Sequence, residues 1–168
     1  PYFASNWSIS VERIARSEFK HGRTRNLAAR GSQAAILVFL SQDVVPRDER
    51  FLVTLVQAFD DPRVAGAYSR VLPHADDDPL TARTVLEAPE ASDVADTRDL
   101  DRLGSIAKLA PAERARFAAF NNVSSAIRRA VFEKIPFPDV DFGEDSAWAA
   151  AALGAGHRIR FVPDSVVF

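Results

Sequence analysis

The 168-residue chain carries 21 Lys and Arg against 23 Asp and Glu, a formal charge of −2, and 47% of it is apolar. That suits one packed domain or a large part of one, excludes a disordered segment, and gives no overall pull toward nucleic acid or anionic lipid. The absence of cysteine excludes disulfides, thiolate zinc sites and a cysteine nucleophile.

No apolar run approaches the roughly 18 residues that a membrane span needs. The opening Pro1-Tyr2-Phe3-Ala4-Ser5 lacks the basic-then-apolar order of a secretory leader. Met is absent throughout, and the last residues stop within an apolar stretch that includes Val166-Val167-Phe168. The sequence therefore reads as a piece of a longer chain.

Val11 to Ala15 alternates weakly and suggests a strand, and His21-Gly22-Arg23 a turn. Thr24 is an N-cap for a helix to about Arg30, closed by Gly31. Ile36 to Leu40 is a continuous apolar run of strand length, the pattern of a strand covered on both faces in a parallel sheet. Ser41-Gln42-Asp43 follows it, and Pro46 ends the ladder. Asp48 caps a helix to Phe59 with Phe51, Leu52, Leu55 and Val56 on one face. Val64 to Val71 reads as the next strand, which makes a strand–helix–strand unit.

Asp76-Asp77-Asp78 lies in a polar loop and reads as solvated. Asp78-Pro79 opens a short helix to Leu86. Residues 87–104 look acidic and irregular, and 111–120 helical. Val123 to Ile127 is a short strand candidate, with a helix from Arg129 to Ile135. Glu144 to Ala155 is an Ala-rich helix bearing Trp148, and Arg158 to Val162 a last strand. His74 and His157 have no spaced ligand partners.

Two places could carry chemistry. Asp43 stands just past the carboxyl end of a strand, where open α/β sheets bind ligands, and its carboxylate suits Mg²⁺ or Mn²⁺. The plainer alternative is an Asp that caps its own turn. Glu144-Asp145 opens a helix after Gly143. One of the two acids could act as a general base on a substrate hydroxyl, or both could simply favour a helix N-terminus. The cationic stretch His21, Arg23 and Arg25, with Asn26 beside it, and separately Arg128-Arg129, could face a diphosphate or merely solvent.

The pieces occur in a particular order: His21-Gly22-x-x-Arg25-Asn26, then Ser41-Gln42-Asp43, then Asn121-Asn122 with Ser124-Ser125-Ala126-x-Arg128-Arg129. Phe142-Gly143-Glu144-Asp145 with Trp148 and Gly156-His157-Arg158 follow. From about Val11 to Phe168 this order resembles the family 2 glycosyltransferases of the GT-A fold, especially bacterial rhamnosyltransferase-like members.

The resemblance implies one partial domain with a Rossmann-like, mixed but mainly parallel sheet flanked by helices. It implies an inverting, metal-dependent transfer of a sugar, rhamnose by overall likeness, from a nucleotide-sugar donor to a glycan or lipid-linked acceptor. Asp43 would hold Mg²⁺ or Mn²⁺ at the diphosphate, with Ser41 where the family's metal motif has its first acid. Asp145, with Glu144, would be catalytic. Arg25 and Asn26 match a segment beside the donor, and Arg128 and Arg129 would reach its phosphates. Asn121, Asn122 and Trp148 would lie toward the acceptor. No nucleic acid is implied; the setting is cytoplasmic, with a parent protein at the inner membrane face.

The family's opening strands, one ending near Pro-x-x-Asn and one bearing an Asp for the nucleoside, have no match before Val11. The base-binding half, and a His contact beyond the last strand, are thus expected to be missing, and the chain alone to bind donor poorly. Two rivals differ in kind. One is a non-catalytic α/β interaction module whose acids only cap helices. The other, a metal-dependent phosphohydrolase, needs more clustered acids and a nucleophile after the first strand, and neither is found.

Overall fold

The computed structural model describes residues 9–168; residues 1–5, read above for a leader, lie outside them. Helix α1 spans His21–Arg30 and is followed by strand β1, Ile36–Leu40. Helix α2, Phe51–Val56, tightens into a 3-10 turn, Gln57–Asp60, before β2, Val64–Val71. Next come α3, Pro79–Glu87, the short β3, Asp96–Arg98, and α4, Pro111–Phe117. The chain finishes with β4, Ser124–Arg128, α5, Arg129–Phe132, α6, Glu144–Gly154, and β5, Arg158–Val167. No described helix is long and apolar enough to cross a membrane.

The five strands form one sheet in the order β1-β4-β2-β5-β3. This is the expected mixed α/β sheet between helices, but parallel pairing does not dominate. Only β2 and β5 pair parallel; the other three pairs are antiparallel. The reason lies in β4. It returns after the long excursion between residues 72 and 123 and runs antiparallel to both β1 and β2, which it separates. The strand–helix–strand unit β1-α2-β2 therefore exists in direction, without direct pairing of its strands.

Two apolar layers cover the sheet. On one face Leu37, Phe39, Tyr68 and Phe161 meet Phe132, Phe137, Trp148 and Leu153. On the other, Phe51 and Leu55 of α2 meet Val64, Ala67, Ala126 and Val167. β1 is nevertheless an edge strand rather than a strand covered on both faces. Val38 and Leu40 are exposed, and only Leu37 and Phe39 are buried.

The caps behave as their chemistry dictates. The Asp78 carboxylate accepts from Leu80 N and Thr81 N, with Pro79 at the first helical position. The proposed strand at Val11 to Ala15 does not form; Val11 is exposed and the first regular turn is the 3-10 turn Arg16–Glu18. α1 starts at His21, not Thr24, because Gly22 serves packing rather than a turn. A Cβ there would lie 2.6 Å from the Pro138 carbonyl oxygen. β5 continues past the expected Val162 through Pro163. The register jumps from Ser69 opposite Val162 to Arg70 opposite Val166, an irregularity that accommodates a residue with no N–H.

Candidate active site

β1 delivers Ser41-Gln42-Asp43 beyond its carboxyl end, and Ser41 N still donates to Val123 O at 3.0 Å. This extends the rigid ladder almost to Asp43. The Asp43 side chain is exposed and faces a cleft of about 430 Å³ that it shares with His21, Thr24, Arg25 and Ser41. Among the described residues its carboxylate has no ion-pair partner.

A neighbouring cleft, also about 430 Å³, contains Asp145, Asn121, Asn122 and Phe142, and again His21, Arg25 and Ser41. The two acids far apart in sequence thus border adjoining hollows with three residues in common, at the same end of the sheet. Gly143 makes the entry to α6 possible. Its φ of +76° lies in the left-handed region, and open space surrounds the position.

Successive residues on a helix point roughly 100° apart, and Glu144 and Asp145 divide accordingly. Glu144 turns inward, where Arg25 Nη1 donates to its Oε1 at 2.7 Å. Asn122 Nδ2 reaches the same oxygen at 3.4 Å, while Asn122 Oδ1 accepts from Ser125 Oγ at 2.8 Å. Asp145 is half-buried, and its Oδ1 accepts from Ser146 N at 2.7 Å. Burial, helped by the charge of Glu144, pushes its carboxyl above the usual range, against the pull of the backbone N–H groups of Ser146 and Asn122. A carboxylate made more basic at the mouth of a cleft is equipped to take a proton from a hydroxyl.

Other sequence candidates land elsewhere. Asn26 spends its amide on Phe137, donating to its carbonyl at 2.8 Å and accepting from its N–H at 3.1 Å. It anchors the loop before α6. Asn121 Oδ1 accepts from Val123 N at 2.8 Å, at the rim of the Asp145 cleft.

Arg128 and Arg129, read as phosphate ligands, require correction. They sit at the opposite end of the sheet, since Arg128 pairs with Ile36 at the start of β1. Arg128 donates to the carbonyls of Val64, Phe59 and Asp61. Arg129 donates to those of Ala34 and Ser32. Trp148, read toward the acceptor, is 0% exposed. Its Nε1 donates to Ile135 O at 2.7 Å, and its ring fills the space above Gly66, where a Cβ would come within 2.7 Å. It is a core residue.

Reasoning from sequence missed Phe142 and Glu90, which line the Asp145 cleft, and gave His21 no separate place although it borders both hollows. Position next to Gly143-Glu144-Asp145 was the available signal for Phe142. Nothing local marks Glu90.

No family model matches the chain. Over 164 residues, 95% of its length, it is 32% identical to the O-antigen chain rhamnosyltransferase RfbN of Salmonella typhimurium, covering 49% of that protein. It is 31% identical over 169 residues to the O-antigen chain rhamnosyltransferase WbaN of Salmonella anatum, covering 50% of it. The chain thus spans about half the length of the curated relatives it matches. In fold it is similar to a mannosyltransferase from Pyrobaculum calidifontis solved with GDP-Man and Mn²⁺, with a TM-score of 0.55 and 20% identity, over 87% of this chain and 35% of that one. The chain is thus similar, over nearly its whole length, to about half of two O-antigen chain rhamnosyltransferases, and over most of its length it shares the fold of a mannosyltransferase.

Proposed function

We propose that the chain is the metal-side and acceptor-side portion of an enzyme that transfers a sugar, rhamnose by the names of its relatives, from a nucleotide-sugar to a hydroxyl of a glycan or lipid-linked acceptor. The observation that carries this reading is the meeting of Asp43 and Asp145 at adjoining clefts lined in common by His21, Arg25 and Ser41.

Asp145 is the base. Its ionised carboxylate accepts the proton of the attacking hydroxyl, and partial burial makes it a stronger acceptor than a solvated aspartate. Arg25 is held by Glu144 and borders both hollows, so its charge lies where a departing diphosphate would gather negative charge. Glu144 positions Arg25 and does not itself meet substrate. Attack from the side opposite the leaving diphosphate inverts the anomeric carbon and needs no covalent intermediate on the protein.

The donor set also fits a divalent ion brought with the substrate. Among the described residues no three metal-ligating side chains cluster; at the end of β1 the exposed carboxylate is that of Asp43. Mg²⁺-type ions are commonly held by one or two carboxylates, with substrate phosphates and water completing the shell. Such an ion, when bound, neutralises charge on the leaving diphosphate. Asp43 would orient it from the end of a rigid strand, and Ser41 from the same turn would border it. GT-A is the class of fold that this arrangement suits.

The test uses the full-length protein with Mn²⁺ and a nucleotide-rhamnose donor. Asp145→Asn should lower the transfer rate about 10²- to 10⁴-fold, the usual worth of a general base. Asp43→Ala should remove the response to added Mn²⁺. Unchanged rates in both variants would make the acids helix and turn caps, and the chain a binding module.

A further inference from the structure

With Trp148 in the core, the Asp145 cleft lacks the aromatic surface expected of it from sequence, yet another ring stands there. Phe142 lines the cleft and is 94% exposed, more than any other large apolar side chain among the described residues. Single exposed apolar residues are ordinary. What distinguishes Phe142 is the way its loop is held. At its start, Phe137 is buried and its backbone is clamped by Asn26. In its middle, Lys20 Nζ lies 3.5 Å from Asp139 and 3.2 Å from Asp141. At its end, Gly143 takes up a left-handed conformation to enter α6. Anchored at Phe137 and paired with Lys20 in its middle, the loop presents Phe142 at the mouth beside Asp145.

We propose that Phe142 is the platform on which the acceptor sugar lies. This rests on the glycosyl-transfer reading above. A pyranose presents a face of C–H bonds and a rim of hydroxyls. The face of an aromatic ring is apolar and electron-rich, and attracts C–H groups. A sugar stacked on Phe142 has its rim near Glu90 and Asn121, which border the same cleft, and one hydroxyl turned to Asp145. The volume of about 430 Å³ lies within the range of small-ligand sites. Glu90 and Asp145 at one mouth disfavour a carboxylated sugar by like-charge repulsion, so the acceptor residue is a neutral hexose or deoxyhexose.

The experiment measures steady-state transfer by the full-length protein to neutral and uronic-acid glycolipid acceptors, with wild type, Phe142→Ala, Phe142→Leu, Phe142→Trp and Leu80→Ala. Leu80 is another strongly exposed apolar residue, on α3. Phe142→Ala should raise the acceptor KM about tenfold, the equivalent of roughly 1.4 kcal/mol, with donor KM and kcat much less affected. Leucine should behave like alanine, tryptophan should keep the wild-type KM, and Leu80→Ala should change nothing. The neutral acceptor should outperform the uronic acid. An active wild type whose acceptor KM survives Phe142→Ala, or survives leucine as well as tryptophan, overturns the platform alone. A wild type that transfers no sugar from any nucleotide donor overturns the glycosyl-transfer reading and the platform with it.

Discussion

Both ends of the sheet are crowded with charge, but the charges are treated in opposite ways. Where β2 and β5 begin, Arg158 reaches Asp61 at 2.9 Å and Asp99 at 3.0 Å, and Arg63 grips Asp101 through both terminal nitrogens. Arg128 and Arg129 are consumed by backbone carbonyls. The Arg63 N–H and the Arg158 guanidinium hold the Asp61 carboxyl below the usual range, and Arg63 does the same to Asp101. Where β1 ends, Asp43 stays exposed, and burial pushes the Asp145 carboxyl the other way. One end satisfies its charges internally and ties strands together. Among the described residues the other leaves the Asp43 and Asp145 carboxylates without an ion-pair partner, the condition expected of groups that meet a ligand. Glu144 is the exception at the second end, a satisfied acid that braces Arg25.

That exception gives the sharpest way to break the comparison. Glu144→Ala should cost about 3 kcal/mol in chemical denaturation, since it strands a largely buried guanidinium, and should lower transfer as Arg25 drifts. If stability holds while activity falls, Glu144 belongs with the unpaired acids after all. Arg128→Ala comes next, at about 2 kcal/mol for the lost charged hydrogen bonds. Its donor KM should not move, because its partners lie at the far end. A raised donor KM would return Arg128 to the phosphates.

The smallest effect concerns Asp145 and pH. Its folded pKa is raised, so its contribution to stability is fully present below the ordinary aspartate value of about 3.9 and is lost as pH rises through the folded value. Asp145→Asn should therefore melt slightly higher than wild type at neutral pH, with the gap closing in acid. The wild-type rate should rise with pH on an acid limb displaced above the usual carboxylate range. A variant less stable than wild type at pH 7 would mean that Asp145 is a satisfied group.

Much of this contrast was legible in the sequence, and the parts that were not share a cause. Apolar runs gave β1, β2 and β4, and the Asp78-Pro79 pair gave the start of α3, because burial and capping leave local marks. β3, Asp-Thr-Arg at a sheet edge, carries no apolar alternation and stayed hidden. The insertion of β4 between β1 and β2 is a long-range pairing with no local signature. Asp43 and Asp145 stood out by order along the chain. The arginines did not sort themselves, because a guanidinium looks the same in sequence whether it meets a phosphate or a carbonyl. Trp148 was placed toward the acceptor, and not in the core, for a similar reason. α6 is so rich in alanine that its pattern does not say which side faces the sheet.

Gly22 has a consequence that reaches past its own helix. Its missing side chain lets α1 press against the Pro138 carbonyl and sit 3.3 Å, from a notional Cβ, off the Glu144 side chain. α1 carries His21 and Arg25, and α6 carries Asp145. The spacing between the helix that carries Arg25 and the helix that carries Asp145 is thus gauged by a methyl group that is not there. An alanine there would have to push α1 away from Pro138 and Glu144, and on the proposed reading transfer would fall with Arg25 and Asp145 themselves unchanged.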